Sequence, residues 1–294
     1  MKKLYLVIFS FLFFYGSYAQ RLLTWAPEFA NATGGISITV DCNKGNQGLL
    51  NYEGGNSNNV YVHIGVITNL SSGAGDWKHV LFTWGTTNPA AKATPLGANK
   101  YQYNIANLNS FFGITPGETI QKIAIIFRNG TGSQKQVNSD GSDMYIPVYS
   151  NAFAVRFNLP PFEPRYIPWL EPINATVGQS ITVTGASSAN ADLSLSLNGN
   201  VFGSATNNTG ISANATISTA CNQKIILTGT MGGNTVKDSF SFNVAQATVV
   251  APLPPGVQDG INYNADQTSV TLVLFAPLKN SAVVIGDFSN WQVT

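Results

Sequence analysis

Apolar and polar residues alternate with a period of two along most of the chain beyond the first 20 residues. The alternating segments are rich in Val, Ile, Thr and aromatic residues, which favours strands of a half-buried sheet. Clusters of Gly, Asn and Ser separate them and suit the turns of antiparallel sheets. Helical periodicity is nearly absent, apart from one short turn expected near residues 107–112. The pattern predicts an all-β fold, with its clearest strands at residues 36–40, 60–64, 101–105, 123–127, 180–184, 193–197, 224–228 and 239–244.

Two proline-rich segments, residues 159–164 and 251–256, divide this pattern. Proline cannot donate to a sheet ladder, so both segments are interpreted as linkers. They delimit a carbohydrate-binding-like β-sandwich at residues 20–157 and an immunoglobulin-like sandwich at residues 158–250. Residues 251–294 carry two further predicted strands but too little chain for a core of their own. The expected architecture is therefore a tandem of β-sandwich domains, the last one truncated.

The first residues are typical of an export signal. Lys2 and Lys3 precede an apolar run at residues 4–15, and the small residues Ser17 and Ala19 follow it. This order predicts a signal peptide at residues 1–19. The apolar run is too short for a spanning helix, and no later stretch approaches about 20 apolar residues. We expect a chain that is secreted or held at the cell surface, with no membrane span.

Composition and charge exclude several classes of function. Only 10% of the residues are charged, and 15 basic against 14 acidic side chains give a net charge of +1. Such a chain is neither a charge-rich disordered protein nor a source of the positive field that gathers nucleic acid. Cys42 and Cys221 fall in different predicted domains, so we expect two buried cysteines and no disulfide between them.

Residues that could perform catalysis are sparse. The chain has 14 carboxylates and two histidines, and no nucleophile elbow, paired-histidine motif or phosphate-binding glycine loop accompanies them. The close carboxylate pair, Asp140 and Asp143, lies in a Gly/Ser loop that predicts a solvated turn or, as the alternative, a weak calcium loop. We expect no cofactor and no catalysis by this chain itself; an unfamiliar active site near this pair is a rival hypothesis.

Two segments carry a resemblance to known families. The C-terminal part of the chain resembles the start of the early-set β-sandwich that precedes the catalytic barrel in branching enzymes, pullulanases and related members of the alpha-amylase family. The resemblance lies in residues 260–263, 269–277 and 284–291, the last of which read Val-Ile-Gly-Asp-Phe-Ser-Asn-Trp. The first predicted domain resembles the N-terminal starch-binding type of module on secreted amylases of the Bacteroidetes group. This resemblance lies in residues 41–50, 60–67, 76–78 and 123–129.

Together these resemblances imply a function without catalysis. The chain would be the α-glucan-binding and spacing region of an alpha-amylase family glycoside hydrolase. The catalytic barrel would lie outside this chain, and the third domain would dock against it. The alternative is a cell-surface adhesion or scaffold protein built of immunoglobulin-like sandwiches, which would need neither a sugar nor a barrel.

A glucan site would use aromatic side chains as platforms for the apolar faces of the sugars. In the predicted strand at residues 60–66 the even positions form an apolar face, which leaves Tyr61 and His63 on the other face. Trp77 and Trp84 are the other two candidate platforms. In an unbroken strand they would face opposite sides, so we do not expect them to share one site, and packing in a core is the alternative role of each. Candidate hydrogen-bond donors at the rim are Lys92, Arg128 and Asn129.

Overall fold

The computed structural model describes residues 21–150, 152–168, 173, 175–245, 251–277, 282 and 284–287. The predicted signal peptide lies outside the described residues. In the described part the chain forms fifteen strands and a single α-helix of five residues, which confirms the all-β fold class. No helix in this part is long and apolar enough to cross a membrane. The chain divides into two compact units, Met1–Asn151 with Pro161–Trp169, and Ala152–Pro160 with Leu170–Thr294.

Two antiparallel sheets build the first unit. One has the strand order β1-β2-β5-β4, and in the other β6 pairs with β3, β7 and β8. The short helix α1 (Leu108–Phe112) coincides with the helical turn expected near residues 107–112, and the side chain of Asn107 caps it by accepting a hydrogen bond from the Ser110 N–H. The strands are β1 (Leu23–Ala26), β2 (Ile36–Asp41), β3 (Val60–Thr68), β4 (Thr94–Gly97), β5 (Lys100–Ile105), β6 (Ile120–Asn129), β7 (Lys135–Gln136) and β8 (Met144–Pro147).

The two sheets of the first unit share one apolar core. Ile38 and Val40 of β2 are fully buried together with Val62 and Ile64 of β3 and with Phe127 of β6. Because each strand alternates, one face of each sheet supplies this core and the other is left for the outside of the sandwich. The outer face of the β3–β6 sheet is where the candidate site lies.

One long folded sheet makes up most of the second unit. The order is β11-β10-β12-β13, and β9 pairs with the first half of β10. Residues 180–184 and 193–197, predicted as two strands, are the two ends of β10, because the chain between them passes through bulges rather than a turn. The strands are β9 (Val155–Leu159), β10 (Ser180–Leu197), β11 (Asn200–Thr216), β12 (Cys221–Met231) and β13 (Asn234–Val244).

The bulges let the two halves of this sheet face each other. Phe157 of β9 packs edge-on against Phe240 of β13, with ring centroids 4.8 Å apart. Gly229 of β12 makes room for β9, since a Cβ there would lie 2.6 Å from Cγ1 of Val155. The boundary predicted at residue 157 therefore falls inside β9. Pro160 directly follows this strand and belongs to the second unit, whereas residues 161–169 belong to the first.

A two-stranded antiparallel sheet follows near the C-terminus. It consists of β14 (Gly260–Tyr263) and β15 (Val270–Val273), and β15 overlaps the strand predicted at residues 269–275. Residues 282, 284 and 285, which belong to the next predicted strand, lie in no strand. That residues 251–294 are the beginning of a third domain stays a prediction.

Replacing Phe157 by Ala tests whether β9 belongs to the second unit. Loss of this buried ring is expected to lower the free energy of unfolding of the second unit by about 3–5 kcal/mol. Trp25, Trp77 and Trp84 all lie in the first unit. With Trp291 replaced by Phe in both the wild type and the variant, the urea transition followed by circular dichroism should therefore shift. The transition followed by tryptophan fluorescence should not shift.

The control for this variant is Val201→Ala, because Val201 is 66% exposed. It should change the free energy of unfolding by less than about 0.5 kcal/mol. A Phe157→Ala variant that shifted the fluorescence transition instead would assign β9 to the first unit.

Candidate functional site

The outer face of the β3–β6 sheet is set by the register of its two central strands. Tyr61 lies opposite Arg128, His63 opposite Ile126, and Gly65 opposite Ala124. The even-numbered residues of β3, from Val60 to Val66, are fully buried in the sandwich core. Tyr61 and His63 consequently occupy the opposite face, as the alternation predicts. Tyr61 is nevertheless buried and packs against the core, so its ring is not the open platform that the sequence suggested.

A loop covers part of this face. Residues 71–87 form no continuous strand and touch the edge of β3 through one bridge, in which Val66 and Lys78 exchange two backbone hydrogen bonds of 2.9 and 2.7 Å. Gly65 permits this approach, since a Cβ there would lie 2.9 Å from the Lys78 carbonyl and 3.4 Å from the ring of Trp77. Because the strand is broken, Trp77 and Trp84 lie against the same residue, His63. The unbroken strand that would have placed them on opposite sides does not form, so that argument does not apply to this loop.

His63 is the centre of this aromatic cluster, by which we mean Tyr61, His63, Trp77 and Trp84. Its imidazole stacks on Trp77 with centroids 5.7 Å apart and meets Trp84 edge-on at 5.2 Å. Nδ1 lies 3.1 Å from the carbonyl oxygen of Phe82, a distance at which an Nδ1–H donates to it. Burial lowers the pKa of His63, and the nearby charge of Arg128 lowers it further, although the Phe82 contact and Asp143 act in the other direction. The net lowering of its pKa favours the neutral imidazole.

Arg128 lies beneath the cluster with no exposed surface. Its Nη1 donates to the carbonyls of Asn129 and Gly130 at 2.9 and 3.0 Å, and its Nη2 donates to that of Thr86 at 2.7 Å, with a longer contact to Thr83 at 3.5 Å. The guanidinium carbon lies 5.5 Å from the ring centroid of Trp84 and 5.8 Å from that of Tyr61. The rim position predicted for Arg128 is thus corrected: carbonyls of the loop at residues 83–86 and of the turn at residues 129–130 accept its Nη hydrogen bonds, and its buried Nε–H has no partner among the described residues.

Asn129 and Lys92 occupy different surroundings. Asn129 is buried. Its Nδ2 donates to the hydroxyl of Ser133 at 3.0 Å, and its Oδ1 accepts from the N–H of Gln134 at 3.2 Å. Its amide therefore stabilises a turn and is not available at the rim of a site. Lys92 is exposed, and its backbone forms a bridge to Tyr61. Of the three candidate rim donors, Lys92 alone has an accessible side chain.

The two tryptophans of the cluster differ in how much of each side chain is exposed to solvent. Trp77 is half-buried, and its indole N–H donates to the hydroxyl of Tyr145 at 3.2 Å. Trp84 is 40% exposed, although its ring contacts His63 and Arg128 and lies against Gly132, where a Cβ would come within 2.4 Å of the indole nitrogen. Trp84 therefore combines an open surface with a fixed position, whereas Trp77 supports the loop.

Sequence reasoning missed two residues that build the site. Tyr145 of β8 receives the Trp77 hydrogen bond and donates its own to the Ala74 carbonyl at 2.8 Å. Its place between buried Met144 and Ile146 puts it on the outer face, so period-two alternation could have found it. Gly132 has φ of +75°, a conformation that favours glycine, and its lack of a side chain admits the indole of Trp84.

The carboxylate pair at residues 140–143 is engaged locally. Asp140 accepts hydrogen bonds from the backbone N–H and hydroxyl of Ser142 and from Nε–H of Arg165 at 2.9 Å. The Ser142 hydrogen bonds, with Arg165, hold the pKa of Asp140 below its usual value, while burial raises the pKa of Asp143. In the described ranges no three His, Cys, Asp or Glu side chains gather in a way that could hold a metal ion.

The two cysteines differ in their surroundings. Cys42 is fully buried, and this burial raises the pKa of its thiol to about 12, with Asp41 contributing in the same direction. Cys221 is exposed at the start of β12, so the expectation that both are buried is wrong for Cys221. Neither forms a disulfide.

Comparison with known proteins gives structural likeness only. No protein family model and no curated protein matches the chain. Among solved structures, fibronectin(III)-like modules of Clostridium thermocellum CbhA match at 13% identity and a TM-score of 0.25, over 76% of this chain and 93% of that one. The BSP domain of a biofilm associated protein matches at 10% identity and a TM-score of 0.29, over 74% of this chain and 29% of that one. Neither match bears on what this chain binds.

Removing the guanidinium tests whether Arg128 holds the loop of Trp84. In Arg128→Met the backbone carbonyls of residues 83–86 and 129–130 lose their donors, and a buried unpaired acceptor costs about 1–3 kcal/mol. We expect the free energy of unfolding of the first unit to fall by about 2–4 kcal/mol, with altered tryptophan fluorescence at neutral pH. The exposed Lys92→Met is the matched control and should stay within about 0.5 kcal/mol of the wild type. Equal stability of both variants would contradict the role given to Arg128.

A second prediction concerns pH and His63. Because the folded pKa of His63 lies below its unfolded value of about 6.5, the unfolded chain binds the proton first as the pH falls. The stability contributed by neutral His63 is present above that value and is lost from about pH 6.5 down to the folded pKa. His63→Gln, which keeps an N–H for the Phe82 carbonyl, should flatten this part of the stability profile measured by urea unfolding. An unchanged slope would show that His63 does not titrate in this way.

Proposed function

We propose that the first unit is a non-catalytic carbohydrate-binding module that holds a neutral glucan on the indole of Trp84. The observation that carries this proposal is the state of that side chain: it is 40% exposed, yet His63, Arg128 and Gly132 fix it from several sides. An aromatic platform that is already ordered loses little conformational entropy when a ligand covers it. A solvent-facing tryptophan held in this way suits stacking on the C–H face of a sugar ring.

Polar groups for the sugar hydroxyls lie beside this platform. Thr131 and Ser133 flank Gly132, are exposed, and have hydroxyl oxygens 3.0 Å apart. A hydroxyl can both donate and accept, which matches the hydroxyls of a sugar. Among the described residues, the cation in contact with Trp84 is Arg128, which is buried and donates to backbone carbonyls, so it offers no free charge to an anionic ligand on this platform. This favours a neutral glycan over an acidic one.

The choice of an α-glucan and of a parent enzyme rests on the sequence resemblance. In this proposal the chain is the accessory region of an alpha-amylase family glycoside hydrolase, and the tethered site raises the local concentration of enzyme at the polymer. The second unit acts as a spacer, and the segment around β14 and β15 docks on a catalytic domain. Apolar exposure of that segment supports docking, since Ile261, Tyr263 and Phe275 are 63%, 84% and 79% exposed.

Native affinity electrophoresis with soluble starch tests the proposal on the full chain. We expect starch to retard the wild type, and Trp84→Ala to lose most of that retardation because the stacking platform is removed. Leu81→Ala is the matched control, since Leu81 lies in the same loop and is 41% exposed. It should migrate like the wild type, and cellulose should retard none of the three.

Two outcomes would contradict this proposal. Equal mobility of the folded wild type with and without starch would favour the adhesion or scaffold alternative, which predicts no dependence on sugar. Retardation that survives in Trp84→Ala would place a glucan site elsewhere on the chain.

A further inference from the structure

A second surface of interest is the outer edge of β11 in the second unit. This strand is 17 residues long, and among the described strands it pairs with β10 alone. From Gly210 to Thr216 it runs in regular register with β10, without a bulge. No hydrogen bond of the described residues reaches the other side of this stretch. The stretch is therefore an open sheet edge seven residues long.

The direction of the backbone N–H and C=O groups along this edge follows from Ile217, the residue after it. The N–H of Ile217 donates to the Gln179 carbonyl, and its own carbonyl accepts from Gly178, so both of its polar backbone groups point toward the β10 side. In an antiparallel ladder these directions alternate along the strand. The N–H and C=O groups of Ser212, Asn214 and Thr216 therefore point away from β10, toward the open edge.

The edge lacks the side chains that usually prevent strand pairing. Natural edge strands are blocked by lysine or other charges, by proline, or by bulges. Residues 200–216 contain no Lys, Arg, Asp, Glu or Pro, and the bulges of β11 all lie before Gly210. Ser212, Asn214 and Thr216 are exposed, whereas Ile211 and Ala215 are buried. The outward side chains are thus short, polar and uncharged.

We propose that two copies of this chain pair through β11 in antiparallel orientation, with Asn214 on the two-fold axis. This register places Asn214 opposite Asn214 of the second copy and Ser212 opposite its Thr216. All three residues have outward-pointing backbone groups, so each such pair exchanges two backbone hydrogen bonds, about six in total. The sheets of the two copies become continuous across the axis.

The side chains that meet in this register are polar and uncharged, as are their partners within the chain. On the β10 side, the hydroxyl oxygens of Ser180 and Thr216 lie 2.9 Å apart, and the Thr182 hydroxyl donates to Oδ1 of Asn214 at 2.9 Å. Pairing with a second copy sets hydroxyl against hydroxyl and amide against amide on the same face. Cross-strand pairs of this kind stabilise antiparallel sheets.

Two features favour a second copy over an unrelated strand. The edge is self-complementary about Asn214, as a two-fold interface requires. The edge also has no charged side chain, so it neither attracts a charged partner nor repels a second copy of the chain. With the axis at Ser212, the paired segment would include the bulge at Asn207–Asn208. With the axis at Thr216, it would extend beyond the end of β11.

Disulfide trapping tests the register in the full chain, with Cys221→Ser as background because Cys221 is exposed. Paired residues that exchange backbone hydrogen bonds have Cα atoms about 5.5 Å apart, within the range that a disulfide spans. Under mild oxidation, Asn214→Cys should form a covalent dimer. Ser212→Cys alone should not, because its two copies would be offset by four residues, about 13 Å along the strand. A mixture of Ser212→Cys and Thr216→Cys should form the mixed dimer.

Sedimentation without cross-linking gives the second readout. The wild type should shift from one chain to two as its concentration rises, and Asn214→Lys should stay a single chain because like charges would lie directly opposite. Circular dichroism checks that each variant is folded. A wild type that remains a single chain at every concentration would overturn the proposal. Equal trapping of Ser212→Cys and Asn214→Cys would also overturn it, since it would show random collision rather than a register.

Discussion

The candidate site depends on one buried cation. Taking a guanidinium out of water costs several kcal/mol unless its donors are satisfied. Arg128 satisfies its Nη donors with backbone carbonyls, three at 2.7–3.0 Å and a fourth at 3.5 Å, and it lies between the rings of Tyr61 and Trp84. These carbonyls come from the loop at residues 83–86 and the turn at residues 129–130. The hydrogen bonds of the guanidinium thereby hold the loop and the turn against the sheet. Trp84 belongs to that loop, so its position is fixed while part of its ring stays exposed to solvent.

The parts of the fold that depend on local alternation could be predicted from the sequence. The two faces of β3 follow from period-two spacing alone, so the outward position of His63 was predictable. Alternation does not tell whether a strand turns or continues through a bulge, and β10 was therefore predicted as two strands. It also does not assign a strand to a sheet. Val155–Leu159 pairs with β10 in the second unit, although the proline after it was interpreted as the start of a linker.

The candidate site was only partly predictable because its contacts are distant in sequence. The aromatic residues could be selected by type and position. The burial of Arg128 could not, since the carbonyls of Thr83 and Thr86 that accept its hydrogen bonds come from a loop more than 40 residues away. The shared surroundings of Trp77 and Trp84 arise because residues 71–87 leave strand geometry, which removes the alternation on which the sequence argument depended.

Nuclear magnetic resonance of the indole N–H groups tests most directly whether Trp84 is an ordered platform for glucan. A Trp84→Phe variant assigns its signal among the five tryptophans. Placement by Arg128, His63 and Gly132 predicts an order parameter near that of rigid backbone, about 0.85, before any ligand is added. It also predicts that maltoheptaose shifts this signal more than those of the other tryptophans. An order parameter below about 0.6, or a signal that the sugar leaves unchanged, would contradict the glucan platform.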